Sequence, residues 1–109
     1  MLLAQRITLN SMIFMSKAED KHKAIVASIG CVICREATGD IVPCQVHHIA
    51  QGSEERSHFM TAGLCEDHHT VAGLGLHGMG VKSFLMRHGL STEYHLLGLV
   101  NKFRAEDGI

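Results

Sequence analysis

Tryptophan is absent, tyrosine occurs once and phenylalanine four times in a chain of 109 residues. A single small domain with so few aromatics has a thin core, and a metal ion or a partner is the usual staple for one. A basic excess is also missing: ten Lys and Arg face eleven Asp and Glu, for a formal net charge of −1. That excludes a module binding nucleic acid on charge alone. It does not exclude a nuclease, because a bound cation brings positive charge where it is needed. Long apolar runs are lacking too. No run near the N-terminus is longer than Met12–Met15, and Gln5, Arg6, Thr8, Asn10 and Ser11 interrupt the rest. That is too short for a signal-peptide core or a membrane span. The expectation is a reducing, cytoplasmic setting with no membrane partner, where four Cys read as metal ligands in preference to disulfides. Met15-Ser16-Lys17 reads as an ordinary start, so residues 1–15 are expected to be a disordered or non-native extension and 16–109 the functional domain.

Ser16-Lys17-Ala18-Glu19 has the form of a capping box, which predicts a helix over 17–29 with Ile25, Val26 and Ile29 inward and Gly30 as its stop. Cys31–Cys34 reads as a tight knuckle and Thr38-Gly39-Asp40 as a turn. Strands are expected over 41–49, with Pro43 at an edge or bulge, and over 58–64. A short helix over 66–72 and a loop broken by Gly73, Gly75, Gly78 and Gly80 follow. The pattern then predicts a helix over 82–88 stopped by Gly89. A last helix, capped by Ser91 or Thr92, runs to about Arg104 with Leu96, Leu97, Val100 and Phe103 on its apolar face. The class is α+β.

What the chain has in excess is histidine, nine of them. Cys31-x-x-Cys34 and Cys65-x-x-His68 are two short chelating pairs, the pattern of a tetrahedral structural zinc site. Cys44-x-x-His47 competes as a second pair. It is disfavoured because a strand sends residues 44 and 47 to opposite faces, which leaves Cys44 as a small buried residue. The remaining cluster is His47, His48, His69 and His77. His68 and His69 point roughly 100° apart on a helix, so they serve different places. His69 and His77 would be about 12 Å apart on an unbroken helix, but the intervening glycines allow the chain to fold back. Three imidazoles on one cation with open positions make a catalytic arrangement. The plain alternative is that these histidines are solvated or hydrogen-bonded in the core. Metalloprotease, zinc-deaminase, nucleophile-elbow and phosphate-loop patterns are all absent.

Val46-His47-His48-Ile49, a polar loop with Gly52 and Arg56, Leu64-Cys65-x-x-His68-His69 and His77-Gly78 together resemble an HNH (ββα-metal, His-Me finger) endonuclease. The closest likeness is to the phage Ref type of RecA-dependent nuclease. The resemblance implies a small zinc-stapled ββα-metal domain with flanking helices, cutting DNA in association with a RecA-type recombinase filament. It implies His48 as general base and His47, His69 and His77 as ligands of a catalytic divalent cation, Mg²⁺ or another. Cys31, Cys34, Cys65 and His68 would hold structural Zn²⁺. Arg56 and Lys82 are candidates to meet phosphate. The family's middle Asn is missing; His58 lies in that stretch, either fixing the loop or simply packing. A non-catalytic zinc-knuckle module binding nucleic acid or protein is the alternative, and it leaves His47, His48, His69 and His77 without a task.

Overall fold

A computed structural model describes residues 16–49 and 57–109. The expected extension over 1–15 and Arg56 lie outside the described residues.

Helix α1 (Lys17–Ile29) has the expected bounds. Ser16 and Glu19 cap it reciprocally: the Glu19 amide donates to Ser16 Oγ at 3.1 Å and the Ser16 amide to Glu19 Oε1 at 2.9 Å. Ile25, Val26 and Ile29 are buried, and Gly30 ends the helix at φ 81°. The knuckle is the first turn of a helix that the sequence reading lacked, α2 (Val32–Thr38). Cys31 is its N-cap and takes the Cys34 amide on its sulfur at 3.5 Å, so thiol capping stands where Ser or Asp would signal a helix start.

Two four-residue strands, β1 (Gln45–His48) and β2 (Thr61–Leu64), form an antiparallel pair with Gln45 opposite Leu64 and His48 opposite Thr61. Both are shorter than expected because their outer ends bond elsewhere. The Val42 carbonyl accepts from the Cys31 amide at 2.9 Å, and residues 57–60 close a turn through Met60 N–H to Ser57 O at 3.1 Å. β2 is buried along its length. At Gly63 a Cβ would lie 2.6 Å from the Gly30 carbonyl, so only glycine lets the strand seat this closely.

Helix α3 (Glu66–His69) stops three residues short of expectation, and the glycine-rich stretch carries a helical turn of its own, α4 (Leu76–Met79). Gly73, at φ 79°, turns the chain back between them. Helix α5 (Val81–His88) and helix α6 (His95–Asp107) complete the fold. No side chain caps α6, so neither Ser91 nor Thr92 has the expected role. The chain enters through a turn in which the His95 amide reaches the Thr92 carbonyl at 3.0 Å. The inner face is Leu96, Leu99, Val100 and Phe103; Leu97 is only half-buried. The helix runs past Arg104 to Asp107, where Arg35 of α2 forks onto the carboxylate, one bond at 2.8 Å. The core lies between α1, α2, β2 and α6, with Phe84 and Leu76 closing it beneath the loop side. No helix among the described residues is long and apolar enough to cross a membrane.

Candidate metal centres and active site

Short turns bring the two chelating pairs together. Cys31 caps α2 and Cys34 lies in its first turn, while Cys65 caps α3 and His68 lies three residues on. The four ligand atoms fall within 4.8 Å of one another. His68 Nδ1 is 3.5 Å from Cys31 Sγ, 3.5 Å from Cys34 Sγ and 3.2 Å from Cys65 Sγ, and the Cys34 and Cys65 sulfurs are 3.8 Å apart. Zinc–sulfur bonds of about 2.3 Å at tetrahedral angles put sulfurs roughly 3.8 Å apart, so these edges suit zinc. Three thiols and an imidazole are also the right donors for it. Burial, followed by the neighbouring Cys31 and Cys65, pushes the Cys34 thiol up to about 12, and burial raises Cys31. Thiols held this firmly in the neutral form are what a cation must deprotonate on binding. Burial lowers the His68 imidazole, keeping it neutral and able to donate its lone pair. Cys44 belongs to neither cluster among the described residues. It is half-buried with Sγ 3.8 Å from the Val26 carbonyl, and burial raises its thiol.

The second cluster is His47, His69 and His77, whose ligand nitrogens again lie within 4.8 Å of one another. Ring centroids are 5.3 Å apart for His47–His69, 5.2 Å for His47–His77 and 4.9 Å for His69–His77. His47 is buried, His69 half-buried and His77 exposed, so the cluster opens to solvent on one side. The glycines make the approach of His77 possible. A Cβ on Gly75 would stand 2.5 Å from the His69 carbonyl carbon, and one on Gly78 would collide with the Val71 carbonyl. Two of the rings have a partner at one ring nitrogen. His69 Nδ1 is 2.7 Å from Gln45 Oε1, and His47 Nε2 is 2.6 Å from Glu93 Oε2. Such outer partners fix ring tautomer and aim. Burial, then the charges of His47 and His77, lower the His69 imidazole.

Glu93 is the residue that sequence reasoning missed. It is 6% exposed and meets His47 from the turn before α6. In sequence, Ser91-Thr92-Glu93 looks like any helix entry, so nothing in the pattern marks it.

His48 leaves β1 on the face opposite His47. Its Nε2 lies 3.1 Å from His58 Nδ1, with the rings edge to face at 5.2 Å. His58 is held by the turn before β2, where Thr61 Oγ1 donates to its carbonyl at 3.0 Å. Lys82 is exposed in the first turn of α5, one element beyond His77. Of the other histidines, His88 packs on Phe84 and His68, His95 is exposed, and His22 lies against Phe59.

No curated protein and no solved structure gives a match to this chain. Residues 16–96 match the family described as "Recombination enhancement, RecA-dependent nuclease". That span takes in both clusters, Glu93 and the His48–His58 pair, and the chain belongs to this RecA-dependent nuclease family.

Proposed function

We propose that this chain is a metal-dependent DNA endonuclease of the HNH type, acting with a RecA-type filament in recombination. The observation that carries the reading is the three-histidine cluster with a second, paired histidine next to it on the same strand. In this reading β1, β2 and α3 form the ββα-metal unit, and the Cys₃His cluster pins hairpin to helix with Zn²⁺.

Hydrolysis of a phosphodiester needs a water deprotonated and the departing oxygen stabilised. His48 is the group proposed to take that proton, imidazole being the side chain suited to proton transfer near neutral pH. The contact of its Nε2 with His58 would hold the ring in place for that step. His47, His69 and His77 hold the cation, Glu93 and Gln45 fixing the aim of the first two. A divalent cation there would act as Lewis acid on the phosphate and the leaving 3′ oxygen. Three imidazoles suit a borderline ion such as zinc, nickel or iron better than magnesium, which prefers oxygen donors. Arg56 and Lys82 are proposed to contact phosphate. With a net charge of −1, unaided DNA binding is weak and salt-sensitive, which fits a recombinase filament as the carrier of substrate.

The test is plasmid nicking by pure protein with Mn²⁺ or Mg²⁺, with and without a recombinase filament. Nicking blocked by EDTA, and abolished in His48→Ala with zinc content and helicity intact, is the expected result. Silence in every condition favours the zinc-knuckle module, and parental cleavage by His48→Ala removes His48 from the role of base.

A further inference from the structure

On the far side of the His58 turn, α1, α6 and Phe59 border an open cavity of about 220 Å³ lined by Ala18, Lys21, His22, Ile25, Phe59 and Arg104. Phe59 follows His58 in the chain, so this cavity adjoins the residue that touches His48. Its contents are unusual for a packing defect. Phe59 is 49% exposed, with its ring tilted against His22 at 5.7 Å between centroids. His22 Nε2 is buried without a hydrogen-bond partner among the described residues. Lys21 forms no ion pair among the described residues, whereas Arg35 and Lys102 are paired with Asp107 and Glu36. Arg104 donates from Nε to the Ile109 main-chain oxygen at 2.8 Å, which steadies it and leaves its terminal nitrogens for a ligand. The nearby carboxylate Glu19 is occupied by the Ser16 amide.

We propose that this cavity is a subsite for an unpaired nucleotide of the DNA strand being cut, its base stacked on Phe59 and its phosphate between Lys21 and Arg104. His22 Nε2 then gains the partner it lacks, from the base edge or a phosphate oxygen. Burial, then the charge of Arg104, lowers the His22 imidazole. A base inside a duplex has no face to offer Phe59, so the subsite selects single-stranded or flipped-out DNA. Stacking also supplies affinity that charge does not, which suits a chain with no basic excess.

The inference rests on the nuclease reading, but its test is binding. The His48→Ala protein is titrated by fluorescence anisotropy with a labelled oligo(dT) and with a duplex of equal length. In that background Phe59→Ala is expected to weaken oligo(dT) binding about 5- to 150-fold, with rescue by Phe59→Tyr and little change for the duplex. Lys21→Ala with Arg104→Ala should flatten the salt dependence by roughly 0.7 per lost phosphate contact. Zinc content and circular dichroism establish that each variant is folded. Unchanged oligo(dT) affinity in folded variants, equal losses on both DNAs, or no oligo(dT) binding by the parent overturns the subsite. A wild type that never cleaves, with these binding shifts intact, refutes the nuclease and leaves the subsite standing.

Discussion

Replacing Glu93 tests how His47 is aimed at the three-histidine cluster. The Glu93 carboxylate reaches His47 Nε2 at 2.6 Å, and the two side chains are 8% and 3% exposed, so water cannot substitute for it. Glu93→Gln keeps an acceptor of nearly the same shape but loses the charge. Outer partners of this kind are worth about 10- to 100-fold in metal affinity, or roughly 1.4–2.7 kcal/mol. Glu93→Ala removes the acceptor as well. It leaves a buried imidazole N–H unpaired at a cost of about 1–3 kcal/mol, which lowers Tm by at least about 4 °C in a domain of this size. The assay is isothermal titration of zinc-loaded protein with Ni²⁺, with His69→Ala as the variant lacking the site. The expected order of affinity is parent, then Glu93→Gln, then Glu93→Ala, with zinc in the cysteine cluster unchanged in all three. If both Glu93 variants bind Ni²⁺ like the parent, Glu93 does not orient a metal ligand, and the reasoning fails.

His58→Ala should lower kcat about tenfold or more, less than the 10²–10⁴ that the general base itself contributes, without changing Ni²⁺ affinity; steady-state kinetics on plasmid reads it. Gly78→Ala should force α4 away from the Val71 carbonyl, removing Ni²⁺ binding while the cysteine cluster keeps its zinc, as elemental analysis would register. Cys65→Ala should drop zinc content by one ion and destabilise the fold, measured by metal analysis and thermal melting. The thiols set opposite pH responses in the two forms. In zinc-free protein the Cys34 thiol is raised from 9.0 to about 12, so the folded form favours the neutral thiol. Its contribution is full below pH 9 and is lost as pH rises towards 12. In zinc-loaded protein protons compete with the metal, so zinc is released as pH falls; a chelator-dye titration follows it.

Local chemistry was legible wherever it is short-range. Ser16 and Glu19 announce the start of α1, and its burial pattern follows from Ile25, Val26 and Ile29. The spacings within Cys31–Cys34 and Cys65–His68 survive folding because each pair sits on one turn. The helix after Cys31 was hidden because a thiol, not a hydroxyl or carboxylate, caps it. The strands were overread because β propensity continues into residues that bond across a turn or to Cys31 instead. Leu97 and Leu99 exchanged roles because the choice between neighbouring apolar positions depends on what the helix packs against.

The sequence by itself determined the donors: which cysteines and histidines are available, how each chelating pair is spaced, and where glycine permits a reversal. Tertiary structure decided which of them meet. The antiparallel register carries His47 and His48 to opposite faces, one to His69 and His77 and the other to His58. The approach of Glu93 to His47 spans forty-six positions, and no local pattern encodes a contact made only when α6 docks on the sheet. Spacing selects the atoms that can share an ion; packing selects the buried partner that aims them.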